Sequence, residues 1–231
     1  NERHEAWGSL ARKLAHEIKN PLTPIQLTID RLKNKYSSDL DEKNKENFQE
    51  NLKIINNQIK QIEKLVNEFS DFARMPKPIL QKNNLVFILN ENIKLLQELD
   101  PSIKITLLKN LEKIMLNSDK EQISRSFFNL IKNSIESIHQ KVELDSNISK
   151  KITIELIDYN DHISFIISDT GMGFENFKSN IKDILNPYFT TKKNGTGLGL
   201  SIVNKIINDH NGNIQFISKT EGAIIKITFA K

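Results

Sequence analysis

The chain of 231 residues contains no cysteine, which excludes disulfides, thiol catalysis and cysteine-ligated zinc sites. It also lacks any apolar run approaching the ~20 residues that a helix needs to cross a bilayer. Its net charge is +4, but basic and acidic residues are interleaved and form no basic block, so the sequence disfavours nucleic-acid binding. Hydrophobic residues make up 38% and charged residues 27% of the chain, which predicts a folded protein rather than a disordered one.

Two apolar stripes predict a helical hairpin in the first third of the chain. Apolar residues recur every three or four positions from Leu10 to Tyr36, through Leu14 and Ile18, and again from Phe48 to Phe72, as is typical of amphipathic helices. The polar stretch 37–41 predicts the turn. Because one hairpin cannot cover both stripes, we expect a homodimer in which two hairpins form a four-helix bundle.

A proline-containing segment separates this hairpin from a region of different pattern. Pro76 and Pro78 should end the second helix, since proline lacks the backbone donor. We therefore expect a helical hairpin over 1–75, a linker over 76–82 and a second domain over 83–231. In that domain the pattern predicts helices over 85–98, 118–139 and 198–209, and strands over 103–108, 113–116, 151–157, 162–168, 213–217 and 223–229. The fold class is accordingly α+β, a hairpin followed by an α/β sandwich.

An exposed histidine in the first helix is the first candidate for chemistry. Residues two positions before and after His16 lie in the apolar stripe, so His16 should point to solvent. A neutral imidazole leaves a lone pair free for attack on phosphorus. Glu17 is the nearest carboxylate that could hold the other ring N–H, and Asn20 lies one turn further on the same face.

Two prolines follow this histidine inside the same helical pattern. Pro21 and Pro24 remove the backbone hydrogen bonds to the carbonyls of Glu17 and Asn20 and should kink or loosen the helix. A single histidine on a bundle helix is usually an ordinary surface residue. Prolines inside a strong periodic pattern favour a functional role, because local rules are most often broken at functional sites.

Two glycine motifs mark the second domain. Asp169 ends an apolar strand and precedes Gly171 and Gly173, so a buried carboxylate there could bind an amino group while the backbone approaches a flat ligand. Taken alone, these residues also fit an ordinary turn. The second motif, residues 195–199, leads into a helix whose first N–H groups could bind phosphate. Its spacing matches neither the dinucleotide fingerprint nor the P-loop.

Two asparagines share one face of the predicted helix over 118–139. Asn129 and Asn133 are four residues apart, and amide oxygens are ligands that Mg²⁺ accepts. Lys132 could add a phosphate contact. The alternative is a set of polar residues on a solvated helix face. Between the glycine motifs, the stretch 174–194 has the features of a mobile lid.

The order of these motifs resembles that of the histidine kinase family, and more closely its NtrY-type nitrogen-regulation sensor kinases. HEIKNPLTPI at 16–25 resembles the H box, and NLIKNSIES at 129–137 resembles the N box. DTGMG at 169–173, PYFTTK at 187–192 and GTGLGLSIV at 195–203 resemble the first glycine box, the F box and the second glycine box. The resemblance covers essentially the whole chain.

This resemblance implies a dimerisation and phosphotransfer hairpin followed by an ATP-binding domain of the Hsp90–gyrase–MutL type. It implies His16 as the phospho-acceptor, Glu17 as its acid/base partner and Asn20 as a residue that orients water for dephosphorylation. It implies Asp169 on the adenine amino group and Asn133 on Mg²⁺. The further residues that it implies around the nucleotide are Asn129, Lys132, Gly171, Gly173, Lys192, Gly195, Thr196, Gly197, Leu198 and Gly199. Lys192 would reach the γ-phosphate, and Phe189 would dock the lid on the hairpin.

The resemblance also implies the partners and the location of the protein. These are ATP with Mg²⁺, a second copy of the chain, and the receiver domain of a response regulator. We expect the cytoplasmic portion of a protein anchored in the plasma membrane through segments outside this sequence, which begins at Asn1 and shows no signal peptide. Two departures remove no proposed catalytic group: Ser134 and Ser137 stand where alanines are common, and Asn211 stands where glycine is common.

Two other functions remain possible from the sequence. The first is a conformational ATPase of the same nucleotide-binding superfamily, which would release phosphate without forming a phosphoprotein. The second is a dimeric scaffold without catalytic activity. The H box argues against the ATPase, and intact Asp169, Asn133 and glycine boxes argue against the scaffold.

Overall fold

The structure, a computed structural model, describes residues 2–37, 41–108, 112–174, 184–186, 196–219 and 221–231. The chain divides into two compact units, with the boundary between Pro76 and Lys77. Within the described residues, none of the helices combines the length and the apolar character that crossing a membrane requires.

The first unit is the predicted helical hairpin. Helix α1 spans Glu2–Tyr36 and helix α2 spans Glu42–Ala73. Asp41 caps α2, because its Oδ1 accepts a hydrogen bond from the Asn44 N–H at 2.8 Å. Pro21 and Pro24 both lie inside α1, which is assigned as one continuous helix. A bend at these prolines stays a prediction.

The buried face of the hairpin differs from the predicted stripe. In α1 the buried side chains include Ala11 and Ala15, whereas Leu14 and Ile18 are exposed. Leu14 and Ile18 of the predicted stripe thus stay uncovered, as expected if one hairpin cannot cover both stripes alone. A single neighbouring helix covers only a narrow face, so that Leu22 and Ile29 of the stripe are buried while Leu14 and Ile18 are not. The buried apolar residues of the hairpin are Ala11, Ala15, Leu22, Ile29, Leu52, Ile59 and Val66.

The second unit is built on a five-stranded sheet. The strands in the described part of the unit are β1 (Gln81–Asn84), β2 (Lys104–Leu107), β3 (Met115–Ser118), β4 (Lys151–Asp158), β5 (His162–Asp169), β6 (Gly212–Ser218) and β7 (Ala223–Ala230). In the five-stranded sheet the order is β2-β4-β5-β7-β6, with β2 and β4 parallel and the other neighbouring pairs antiparallel.

Among the described residues, three helices pack on this sheet, which confirms the predicted α/β sandwich. They are α3 (Leu85–Leu99), α4 (Lys120–Leu144) and α5 (Gly199–Asp209). Phe127 of α4 stacks on Phe165 of β5 with ring centroids 4.7 Å apart, and both side chains are fully buried. Helix α4 continues beyond its predicted end at residue 139 to Leu144, where the Asp145 N–H donates to the Lys141 carbonyl.

A small two-stranded ribbon joins the start of the second unit to α4. Strand β1 pairs antiparallel with β3, with Gln81 opposite Ser118 and Asn84 opposite Met115. The segment predicted as a linker over 76–82 therefore already contains the first residues of β1. No strand was predicted there, because Gln, Lys and Asn carry no β-branched or apolar signal. The ribbon is held by its ladder and by Asn83, whose Nδ2 donates to the Ser118 carbonyl at 2.7 Å.

Candidate functional site

The hairpin presents His16 on an exposed part of α1. Arg12, Lys13, Glu17 and Asn20 line the same shallow concave surface as His16. Positions 12, 16 and 20 follow one another at four-residue spacing, which places them on one helix face. The structure thus brings the three predicted residues of the hairpin together, with two basic side chains beside them.

In the second unit, Asp169 is a buried carboxylate at the end of β5. The residue is 4% exposed, and its Oδ1 accepts hydrogen bonds from the Gly171 N–H at 2.9 Å and the Ala223 N–H at 3.3 Å. Burial raises the pKa of Asp169, while hydrogen bonds from Gly171, the Ser134 side chain and Ala223 oppose that rise. A carboxylate fixed in this way can accept a further hydrogen bond from an amino group of a ligand.

Gly171 and Met172 pack against Ser137 of α4. A Cβ atom at position 171 would overlap Ser137 Oγ and would lie 2.7 Å from the Ser137 carbonyl carbon. The Met172 N–H donates to Ser137 Oγ at 2.9 Å. Ser134 and Ser137 were noted in the sequence only as departures from a family pattern, yet both contact the segment that begins at Asp169.

The backbone at the end of β5, the backbone at Gly173 and the turn at Gly222 lie close together beside Asp169. Gly173 has φ +71° and Gly222 has φ +87°, values that only glycine adopts without strain. A Cβ atom at position 173 would lie 2.6 Å from the Gly222 carbonyl oxygen. The contribution of Ala223 to the carboxylate was missed, because 54 residues separate it from Asp169 and no local pattern marks it.

Asn133 and Gly199 are neighbours across α4 and α5. A Cβ atom at position 199 would lie 3.8 Å from Asn133 Nδ2 and 3.9 Å from its Oδ1. Gly199 is the first residue of α5, and among the described residues no side chain caps this helix at Leu198. The start of α5 therefore faces the Asn133 amide and offers backbone N–H groups of the kind that bind phosphate.

The other predicted nucleotide residues fall into two groups. Asn129 and Lys132 are half-buried on α4, and Lys132 Nζ lies 3.9 Å from Glu136 Oε1. Thr196 is half-buried, Gly197 has φ +70° and Leu198 is fully buried. Phe189, Lys192 and Gly195 lie outside the described residues, as does most of the predicted lid over 174–194.

The Asn133 amide oxygen, near the start of α5, fits a magnesium ion that is held together with a nucleotide. In the described part of the chain, no cluster of three His, Cys, Asp or Glu side chains could hold a metal by itself. Mg²⁺ accepts a single protein oxygen when phosphates and waters complete its octahedron. The Asn133 amide, facing a helix start suited to phosphate, is compatible with that arrangement.

Two protein families match this chain. Residues 6–78 match the family described as "His Kinase A (phospho-acceptor) domain". Residues 118–231 match "Histidine kinase-, DNA gyrase B-, and HSP90-like ATPase". The two matches fall on the two units of the structure and contain His16, Asn133 and Asp169.

Similar proteins cover almost the whole chain. A "Putative sensor histidine kinase NtrY-like" of Rickettsia felis is 37% identical over 229 residues, which are 99% of this chain and 37% of that protein. The "Nitrogen regulation protein NtrY" of Azorhizobium caulinodans is 35% identical over 230 residues, which are 98% of this chain and 29% of that protein. The chain therefore spans about a third of the length of these curated relatives.

Solved structures share the fold. The histidine kinase ThkA, determined in complex with the response regulator protein TrrA, is 26% identical with a TM-score of 0.65, covering 100% of this chain and 63% of that chain. The separate catalytic domain of ThkA, also 26% identical, aligns with a TM-score of 0.56 over 66% of this chain and 95% of that chain.

Proposed function

Because this chain belongs to the histidine kinase family, we propose that it transfers the γ-phosphoryl group of ATP to His16 and then to an aspartate of a response regulator. The observation that carries this proposal is the exposed surface that His16 shares with Glu17 and Asn20. A nucleotide-binding unit that only hydrolysed ATP would need no exposed nucleophile on a helical hairpin.

In this proposal the second unit binds ATP. The buried Asp169 carboxylate accepts a hydrogen bond from the adenine amino group, and the glycines at 171 and 173 let the segment after it pack closely against Ser137 and Gly222. The first N–H groups of α5 take the phosphates. Asn133 would hold Mg²⁺, which supplies charge neutralisation on the triphosphate when bound.

The hairpin supplies the nucleophile. A bare ring nitrogen of His16 attacks the γ-phosphorus, a nitrogen–phosphorus bond forms, and the bond to the bridging oxygen of ADP breaks. Glu17 holds the N–H of the other ring nitrogen and takes its proton as the phospho-imidazole forms. The phosphoryl group then passes from His16 to an aspartate carboxylate of the regulator, and Glu17 returns the proton to the ring, which regenerates the neutral imidazole and the Glu17 carboxylate.

Labelling with γ-labelled ATP and Mg²⁺ tests this proposal. The wild-type chain should acquire a label that is labile to acid and stable to base, as expected for a phosphohistidine. His16→Gln should lose the label while ATP binding, measured by calorimetry, stays unchanged. Retention of the label would place the acceptor at another residue, and phosphate release without any labelled protein would favour the conformational ATPase.

A second activity, dephosphorylation of the regulator, is supported by the position of Asn20. Asn20 lies on the surface that contains His16, so its amide could orient a water molecule for attack on a phospho-aspartate. Asn20→Ala should slow dephosphorylation of a phosphorylated receiver domain while autophosphorylation continues. Unchanged dephosphorylation by this variant would exclude the role.

We also propose that the chain works as a homodimer within a membrane-anchored protein. Large apolar side chains of α1 and α2 stay exposed in the single hairpin, among them Leu14, Ile18, Ile25, Ile55 and Ile62. A second hairpin would cover them in a four-helix bundle. The anchor would lie in segments outside this sequence, with the described units in the cytoplasm, where ATP and a regulator are available.

A further inference from the structure

Helix α5 contacts α4 at both of its own ends. At one end, the Asn133 amide of α4 faces Gly199, the first residue of α5. At the other, Asp119 immediately before α4 contacts His210 immediately after α5. The two helices therefore run antiparallel, and roughly 20 Å of helix separates the two contacts at ~1.5 Å per residue.

His210 makes this distal contact as a buried, fully hydrogen-bonded imidazole. The residue is 6% exposed. Its Nε2 lies 2.9 Å from the Asp119 backbone nitrogen, and its Nδ1 lies 2.7 Å from the Ile206 carbonyl oxygen. A backbone N–H only donates and a carbonyl only accepts, so Nε2 carries the lone pair and Nδ1 carries the proton. The ring is thus neutral and held in one tautomer.

Asp119 connects this histidine to two further segments. Its Oδ1 accepts from the Gln122 N–H at 3.1 Å and caps α4. Its Oδ2 accepts from the Ile79 N–H at 2.9 Å, just before β1. The start of the second unit, the start of α4 and the end of α5 therefore meet at one residue, and His210 is the side chain that ties α5 to it.

We propose that His210 is a positioning residue of the nucleotide site, which it does not touch. By fixing the end of α5 to the start of α4 through Asp119, it sets the register of the antiparallel pair and keeps Gly199 opposite Asn133. The role at the nucleotide rests on the proposed function. The register itself is a property of the two helices and can be measured without any nucleotide.

Two substitutions separate the bond to α4 from the bond within α5. Gln at position 210 carries an oxygen about as far from the backbone as Nε2, so His210→Gln can still accept from the Asp119 N–H. Asn reaches only as far as Nδ1, so His210→Asn keeps a donor for the Ile206 carbonyl and loses the bond to Asp119. Both variants are polar and uncharged, and each serves as the control for the other.

Hydrogen exchange and calorimetry provide the two readouts. Without nucleotide, His210→Asn should exchange faster at Asp119 and around Gly199, whereas His210→Gln should stay close to wild type. With ATP and Mg²⁺, His210→Asn should bind about tenfold more weakly, and His210→Gln should rescue most of that loss. A purely space-filling role predicts equal exchange in the two variants and would overturn the proposal.

The outcomes also separate this proposal from the proposed function. If wild type does not bind ATP, the kinase proposal fails, and the exchange comparison alone decides whether His210 sets the register. If wild type binds ATP and both variants bind equally well, the kinase proposal stands and the positioning role of His210 is wrong. Thermal unfolding of both variants shows whether either has lost the folded second unit.

Discussion

Gly222 approaches the backbone of Asp169 so closely that a side chain at position 222 would overlap the Asp169 carbonyl oxygen. The turn before β7 is thereby fitted against the end of β5, and the next residue, Ala223, donates its N–H to the Asp169 carboxylate. The turn that contains Gly222, although distant in sequence, therefore helps to fix the Asp169 carboxylate that we propose to bind adenine.

Gly222→Ala should destabilise the second unit by about 3 kcal/mol. The new methyl group would both overlap the Asp169 carbonyl and occupy a left-handed conformation, with φ +87°. Gly199→Ala is the matched control, because a Cβ there meets only ordinary contacts at 3.8 and 3.9 Å and alanine favours the helix that begins at that residue. Urea unfolding compares the two variants, and a loss below about 1 kcal/mol for Gly222→Ala would contradict the structure.

Asp169→Asn should raise stability at neutral pH while weakening ATP binding at least tenfold. Burial raises the pKa of Asp169 above its usual value of 3.8, so the folded chain binds this proton more tightly than the unfolded chain. The contribution of Asp169 to stability therefore falls as pH rises from about 3.8 through its folded pKa. Asparagine removes that dependence.

Unfolding of both proteins between pH 4 and pH 8 checks this prediction. The advantage of Asp169→Asn should be largest above the folded pKa and should shrink as the pH falls towards 3.8. A variant that is less stable than wild type at pH 7 would mean that the hydrogen bonds to the carboxylate outweigh its burial.

Ser137→Ala should cost about 1–2 kcal/mol of stability, because the Met172 N–H would lose its acceptor, Ser137 Oγ. Ser164→Ala provides a control of the same size change. Ser164 is fully buried in β5, and its Oγ has no hydrogen-bond partner among the described residues. Removing that hydroxyl should be neutral or stabilising. Equal costs in denaturant unfolding would show that the Ser137–Met172 bond contributes nothing specific.

Ile25→Asp should shift the chain from dimer to monomer, because a carboxylate in the bundle interface would lose its hydration. Ile217→Asp is the control, as both isoleucines are similarly exposed, at 46% and 43%, but Ile217 lies on β6 in the second unit. Light scattering across a concentration series measures the shift. If both variants behave alike, the exposed face of α1 is not the dimer interface.

The helices and their starts were the most predictable part of the fold. The predicted helix over 85–98 begins at its cap Asn84, whose Oδ1 accepts from the Val86 N–H at 3.1 Å. Asp119 likewise precedes α4 and caps it. Caps are predictable because the capping side chain accepts a hydrogen bond from a backbone N–H only two or three residues away. Both partners of the bond therefore lie within one short stretch of sequence.

Contacts between distant segments could not be predicted in the same way. Strand β1 forms because its backbone pairs with β3, and its side chains contribute no signal. Ala11 and Ala15 are buried in α1 while the larger Leu14 and Ile18 are exposed, although Leu22 and Ile29 of the same helix are buried. Periodicity identifies an amphipathic helix but does not assign each apolar residue to one of two neighbouring partners.

In the candidate site, too, local motifs could be predicted and contacts between distant segments could not. Asp169, Gly171, Gly173 and Asn133 were predicted from local motifs, and the roles assigned to them stay proposals. The contacts of Ser134, Ser137 and Ala223 with the Asp169 segment could not be predicted, because they join α4 and β7 to the end of β5. Asn211, which stands where glycine is common in the family, has φ +54°; asparagine is among the few other residues that adopt this conformation readily.

Helix α1 keeps its path through Pro21 and Pro24, yet neither proline can donate to the carbonyls of Glu17 and Asn20. Two backbone hydrogen bonds of the helix are therefore missing directly after His16, while side chains further along the helix, at Leu22 and Ile29, are buried. In its secondary structure, α1 is one continuous helix. For bending, we expect α1 to be softest one turn beyond the proposed phospho-acceptor, so that a tilt of either end of the helix would be taken up there first.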